Sequence, residues 1–276
     1  MNKNFKIMIV LSLVIMLSMA SVVNVKAQSN NRVQITGSTT VLPIAQRSAE
    51  EFMNRYDITI SVRGGGSGTG IAALIDGRAD IADVSRPMKE KEYEIAKNKG
   101  VKPKEHIIAR DGIAVVVNNS NTVDDITLNE IKKIFTGKIT NWEQVGGPNK
   151  DIVVVSRDSS SGTFEAFKEI ALDENKYSKD ALRLGSNKAV SSTVARSPYA
   201  VGYIGMAYLS NRVKALAVDG VKPNMKTAGS GEYKIARPLF MYTDGEPTGN
   251  IKKFIDFIYS EEGQRIVNEV GYVPVK

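Results

Sequence analysis

Three times along this chain a short β-branched run ends in a turn of glycine and hydroxyl residues, and each turn leads into a helical pattern. Strand 33–35 (Val33-Gln34-Ile35) precedes Thr36-Gly37-Ser38-Thr39-Thr40-Val41-Leu42-Pro43 and a helical segment over 45–52. Strand 58–62 precedes Arg63-Gly64-Gly65-Gly66-Ser67-Gly68-Thr69-Gly70 and a helix over 71–75. The third turn, Ser156-Arg157-Asp158-Ser159-Ser160-Ser161-Gly162-Thr163, follows the run 152–155 and opens a helix at Phe164. Strands that alternate with helices in this way predict parallel sheets with helices on their faces.

The chemistry of these turns is as informative as their position. Backbone N–H groups in the first turn of a helix have no intrahelical partner and lie at the positive end of its dipole, so such a turn seats an oxyanion. Serine and threonine hydroxyls add donors, and the guanidinium fork of Arg157 matches a tetrahedral oxyanion in charge and shape. Any one of these turns can also be read as a capped helix start and nothing more. No glycines stand at the first, third and sixth positions of any window, and no Gly-Lys-Ser/Thr ending follows, so neither dinucleotide nor nucleoside triphosphate motifs are present. A small, compact anion fits the three turns better.

The N-terminus predicts export. Lys3 and Lys6 precede an apolar run from Ile7 to about Val23, and Val25-Lys26-Ala27 leads into the polar Gln28-Ser29-Asn30-Asn31. That order describes a secretory signal over residues 1–27, cleaved after Ala27; an uncleaved anchor is the alternative, with an apolar run marginal for a span of about 20 residues. Cleavage removes Lys3, Lys6 and Lys26 and no acidic residue, which lowers the formal charge from +7 to +4. The lysines are spread along the chain without aromatic partners, which argues against nucleic acid, while a mild positive field suits an anionic solute. The absence of cysteine removes disulfides and a lipid-attachment thiol, so the expected location is periplasmic or extracellular. A lone histidine, His106, and no cluster of acidic residues give no reason to expect a metal or other cofactor.

Further strands are predicted at 112–117, 152–155 and 201–205, whose near-continuous apolar runs suit buried parallel strands. A short helix is predicted at 128–135, with Thr127 as N-cap and Gly137 beyond its end. Ile251, Phe254, Ile255 and Ile258 lie at i, i+3, i+4 and i+7, which predicts a helix packed on a sheet, and a second helix carries Ile266, Val267 and Val270. Trp142 reads as a packed anchor. His106 reads as an ordinary surface or boundary residue just ahead of a strand.

Taken in order, Gly37-Ser38-Thr39-Thr40, the 64–70 loop, Phe135-Thr136-Gly137-Lys138-Ile139-Thr140-Asn141-Trp142, the 157–163 turn, Ala200-Val201-Gly202-Tyr203 and the tail from Gly263-Gln264 to Gly271-Tyr272-Val273-Pro274 resemble the phosphate-binding proteins of bacterial phosphate ABC transporters. The resemblance runs from about Val33 to the C-terminus. It implies a two-lobed α/β fold of the type II periplasmic-binding-protein kind, each lobe a mainly parallel sheet flanked by helices, with phosphate in the cleft. The chain would cross between lobes near 111–113 and again near 202–204, giving a first lobe of 32–112 plus 204–276 and a second of 113–203. The implied function is capture of inorganic phosphate and delivery to a membrane permease by a monomer that is not an enzyme. Carried over by position, Ser38, Thr39, Thr40 and Ser67 bind the anion from the first lobe, and Arg157, Ser161, Gly162 and Thr163 from the second.

One position departs from the family pattern. Where many members carry a cleft aspartate, Asp83-Val84-Ser85-Arg86-Pro87 presents Ser85. An acceptor there matters because phosphate near neutral pH keeps a proton to donate and sulfate does not. Asp111, at the first crossing, is the expected replacement; the alternative is that it pairs with Arg110 or Arg86 and never meets the ligand. Arg86 would then stand behind the ligand contacts. Asp158 either orients Arg157 or is a solvated turn residue. Two other functions stay open at this level. One is a secreted hydrolase or phosphatase using the serine-rich turn, although no Gly-x-Ser-x-Gly elbow occurs. The other is an adhesin, a signalling protein or a receptor for molybdate or sulfate on the same scaffold.

Overall fold

A computed structural model describes residues 31–275, so the signal segment 1–27 and its cleavage site lie outside the described residues. In chain order the elements are β1 (Arg32–Gly37), α1 (Leu42–Met53), β2 (Thr59–Gly64), α2 (Ser67–Ile75), β3 (Ile81–Val84) and α3 (Glu90–Asn98). They continue with β4 (Pro103–Asn118), β5 (Asp125–Ile126), α4 (Leu128–Phe135), β6 (Val153–Arg157), α5 (Gly162–Leu172), β7 (Leu182–Leu184), α6 (Asn187–Arg196) and β8 (Ala200–Gly205). The remainder is β9 (Val213–Ala215), β10 (Ala217–Val218), α7 (Met225–Ser230), β11 (Ala236–Asp244), α8 (Gly249–Tyr259) and α9 (Glu261–Glu269).

The strands join in the order β2-β1-β3-β11-β4-β8-β6-β7, with β9 also paired to β4. The sixteen-residue β4 belongs to both halves of this sheet: residues 103–112 pair antiparallel with β11, and 113–117 pair antiparallel with β8. Apart from a separate parallel pair of β5 and β10, parallel pairing is confined to β2-β1-β3 on one side and β8-β6-β7 on the other. These are the strands that feed the three hydroxyl turns, as expected for strand–turn–helix units.

Each half of the sheet buries both faces. In the first lobe Val33, Ile35, Ile81 and Leu239 pack against Ile44 and Phe52 of α1 and Phe254 and Ile258 of α8, while Ala82, Val84 and Phe240 face Ile71 and Leu74 of α2. In the second, Val115 and Val117 meet Ile131, Phe135 and Phe167, and the alternate residues Ala114 and Val116 meet Val190 and Val194 of α6. This is the two-residue alternation of a strand buried on both sides. The Phe167 and Tyr203 rings stack at 4.1 Å.

The second crossing lies further along the chain than the resemblance implied. Leu216, Val218, Tyr233 and Ile235 are buried in the second lobe's core, and β9 pairs with the second-lobe end of β4. The chain returns to the first lobe only at Ile235-Ala236, where Ile113 N–H donates to Ile235 O at 2.7 Å beside the first crossing. Most of residues 204–235 therefore packs with the second lobe, where its apolar side chains are buried, while Ala207 packs on the first-lobe core and the Tyr208 hydroxyl donates to Thr39 O.

Several local readings are met at the residue. α4 spans Leu128–Phe135, with Thr127 and Glu130 forming a capping box. α8 carries the Ile251–Ile258 stripe, and Trp142 is fully buried with its indole N–H donating to Tyr199 O at 2.9 Å. His106 is not ahead of a strand but inside β4, buried, with Nε2 3.0 Å from Thr243 Oγ1. No helix among the described residues is long and apolar enough to cross a membrane.

Asp83, on β3, is 1 % exposed and neither carboxyl oxygen has a partner among the described residues. Burial pushes its pKa well above the usual carboxylate range. A carboxyl raised in the folded state contributes stability that is full below its unfolded pKa and lost as pH rises through the folded value. Asp83→Asn should therefore raise the melting temperature more at about pH 8 than at about pH 5. An equal effect at both, followed by thermal unfolding, would mean that Asp83 does not titrate in the fold.

Candidate functional site

All three turns converge between the lobes. Gly66 precedes α2 at φ 98°, a region open to glycine, and brings the chain against Ser160 of the opposite turn. Gly68 N–H donates to Ser160 O at 3.0 Å, and Ser160 Oγ donates to Gly65 O at 3.2 Å. At the rim Lys89 Nζ lies 2.9 Å from Glu165. The lobes are thus closed on one another. Gly162 has to be glycine for this closure: a Cβ there would lie 2.2 Å from Ser67 Oγ and 2.7 Å from Ser85 Oγ.

Arg157, at the end of β6, is 0 % exposed. Its Nε donates to Leu184 O at 3.1 Å and its Nη2 to Gly185 O at 3.0 Å, while Nη1 is buried with no partner among the described residues. Tyr203 fixes the backbone beneath, because its hydroxyl accepts from Arg157 N at 3.2 Å and lies 2.9 Å from Ser156 Oγ. Desolvation pulls the guanidinium pKa down from its ordinary value, the mark of a buried cation lacking a full counter-charge. Asp158 is held in its own turn by Ser160 N–H at 2.8 Å, so it does not orient Arg157.

The hydroxyls around it mostly accept from the backbone. Ser38 Oγ accepts from Thr40 N at 3.1 Å, Ser67 Oγ from Ser85 N at 3.0 Å, and Ser161 Oγ, the N-cap of α5, from Phe164 N at 3.2 Å. A hydroxyl that accepts in this way still has its own proton to give. Ser85 Oγ lies 3.3 Å from Ser67 Oγ. Thr40 Oγ1 and Thr163 Oγ1 meet at 2.9 Å across the cleft, and Thr39 Oγ1 accepts from Asn187 Nδ2 at 3.3 Å. All of these hydroxyls are buried.

Asp111 is 0 % exposed and pairs with neither Arg110 nor Arg86. Its Oδ2 accepts from Arg237 Nη2 at 3.0 Å and Nε at 3.3 Å, and its Oδ1 accepts from Met206 N at 3.0 Å. Burial raises its pKa, an effect opposed by Arg237. One lone-pair site on Oδ1 stays open. Arg86 is turned onto Glu92, with both carboxylate oxygens within 2.8 Å, and does not back the anion turns.

Arg237 and Asn187 escaped the sequence reading. Asn187 opens α6, and its side chain reaches Thr39 and Thr40 from the second lobe. Arg237 sits in β11, and the only signal of its role in the sequence is a charged residue inside an apolar run. Arg237 is paired with the buried carboxylate of Asp111, whereas Arg157 is held by carbonyl oxygens, and both are buried among the hydroxyls of the cleft. Among the described residues no group of three or more His, Asp or Glu side chains could hold a metal ion. A groove of about 700 Å³ lies elsewhere, along α9 between Tyr259 and Pro274, and none of the anion turns lines it.

Fold and cleft together define a two-lobed α/β solute-binding protein. The family model for the PBP superfamily domain matches residues 24–262. The phosphate-binding protein PstS of Bacillus subtilis is 39% identical over 254 residues, 90% of this chain and 82% of that protein. PstS of Borreliella burgdorferi is 33% identical over 285 residues, covering 97% and 99%. A phosphate ABC transporter substrate-binding protein of Clostridium perfringens, solved with bound phosphate, matches with a TM-score of 0.82 at 39% identity, covering 89% of this chain and 100% of the other. The chain belongs to the PBP superfamily, among the phosphate-binding proteins of ABC transporters.

Proposed function

We propose that this protein captures inorganic phosphate outside the inner membrane and delivers it to an ABC-type permease, as a monomer and without turnover. The observation that carries this reading is the surplus of buried donors in the closed cleft, above all Arg157, whose Nη1 has no acceptor among the described residues. A ligand rich in acceptors and carrying two negative charges satisfies that surplus, and the names of the relatives point to phosphate. The binding set is Ser38, Thr39, Thr40, Ser67 and Ser85 from the first lobe and Arg157, Ser161, Gly162 and Thr163 from the second. Asp111 is proposed as the acceptor for the phosphate proton through its open Oδ1 site. Export follows from the signal-like segment 1–27. A hydrolase is disfavoured because His106 is bonded to Thr243, six residues along β11 from Arg237 and so about 20 Å away at the usual strand rise.

Isothermal titration of the ligand-stripped mature chain tests the proposal. Stoichiometric phosphate binding with much weaker sulfate binding is the expected result. Equal affinity for sulfate, or turnover of a chromogenic phosphate ester, would overturn it.

A further inference from the structure

The side chain of Arg237 contacts both lobes and the crossing between them. It is 5 % exposed, and in the β4–β11 ladder it stands opposite Asp111, beside both crossings. Nη1 donates to Ser85 O at 2.9 Å in the first lobe. Nη2 lies 3.0 Å from Asp111 Oδ2, 3.0 Å from Thr163 Oγ1 of the second lobe and 3.3 Å from Thr40 Oγ1 of the first. Two Nη2 hydrogens serve these three acceptors, so the one not on Asp111 is shared by the two threonines.

Counting protons then favours one direction for the Thr40–Thr163 bond. Asn187 Oδ1 accepts from Gly205 N at 3.2 Å, which turns Nδ2 toward the threonines, where it donates to Thr40 Oγ1 at 3.0 Å. Thr40 Oγ1 thus receives one hydrogen from Asn187 and a share of one from Arg237. Already supplied by Asn187, it is the better placed of the two to give its proton, and we assign it as the donor to Thr163 across 2.9 Å. Thr163 Oγ1 in turn accepts from Thr40 and Arg237. Its own hydrogen is left without an acceptor, on a side chain 1 % exposed and in the first turn of α5. An unmatched buried O–H carries a penalty that an incoming acceptor removes.

We propose that Arg237 is a positioning residue: held by Asp111 at the crossing, it works with Asn187 to orient the Thr40–Thr163 hydroxyl pair, so that closure leaves the Thr163 proton aimed at a bound oxyanion. The proposal rests on the phosphate reading of the same cleft. It makes the hydroxyl of Thr163 useful only while Arg237 and Asn187 are present to direct it. Coupling between these residues is therefore the diagnostic quantity.

The experiment is a pair of double-mutant cycles on the mature chain, read as phosphate affinity by titration, with folding of each variant checked by thermal melts. Thr163→Val alone should weaken binding about 10- to 100-fold, the usual scale for a hydrogen bond to a charged group. In an Arg237→Gln background the same change should cost only a few-fold, because the hydroxyl is no longer directed. Asn187→Ala, which leaves the Arg237–Asp111 pair intact, gives a second cycle that stands if Arg237→Gln fails to fold, and it should show the same loss of additivity. Additive effects in the Asn187 cycle would overturn the proposal even though the parent binds phosphate. Failure of the parent to bind phosphate would instead overturn the functional reading beneath it.

Discussion

Arg157→Ala is expected to weaken phosphate binding by about 2–5 kcal/mol, the range for removing one member of a buried charged contact, or roughly 30-fold to several thousand-fold in Kd. The size follows from the setting. Leu184 O and Gly185 O hold the guanidinium rigidly, so little ordering accompanies binding, and Nη1 has nothing else to bond. Truncation also takes the donor from Leu184 O and Gly185 O, so the fold of the variant is checked by thermal melting beside the titration. Arg157→Lys should recover part of the affinity but not the fork geometry. Titration of the two variants beside the parent gives the answer, and phosphate binding at parental strength by Arg157→Ala would take this arginine out of the site.

Asp111 carries the second large effect, and on a different quantity. Asp111→Ala leaves Arg237 buried without its carboxylate, and unfolding in urea should show a loss of about 3–5 kcal/mol, as for other broken buried pairs. Asp111→Asn keeps the shape and one acceptor, so it should cost less stability and report on selectivity. If Oδ1 takes the phosphate proton, the amide can turn its N–H₂ to the ligand instead. Sulfate then no longer meets a carboxylate, and the phosphate-to-sulfate ratio falls in competition against labelled phosphate. An unchanged ratio would leave Asp111 solely as the counter-ion of Arg237. In that case Ser85 becomes the next candidate for discrimination through its Oγ.

Placement of these two residues shows how differently each was legible. Arg157 stands in a strand–turn–helix unit whose parts are neighbours in sequence, and its position before a run of hydroxyls and the start of α5 already marked it as an anion ligand. Asp111 reads from the sequence as the replacement acceptor at the first crossing, with Arg110 or Arg86 as alternative partners. The partner came from 126 residues further on.

What the sequence determined by itself was everything held by short-range forces. The period of apolar residues located α8, Thr127 and Gly137 bracketed α4, and glycine and hydroxyl turns ahead of α1, α2 and α5 marked three candidate anion seats. Capping, backbone conformation and periodicity act within a few residues, so a linear reading reaches them. Tertiary structure alone decided that most of residues 204–235 packs with the second lobe, that β11 enters the sheet between β3 and β4 in the register that sets Arg237 opposite Asp111, and that Asn187 reaches across to Thr40. Those outcomes depend on which distant apolar faces bury one another and on strand register. A shift of one residue would turn Arg237 away from Asp111, and nothing local to either residue specifies that register.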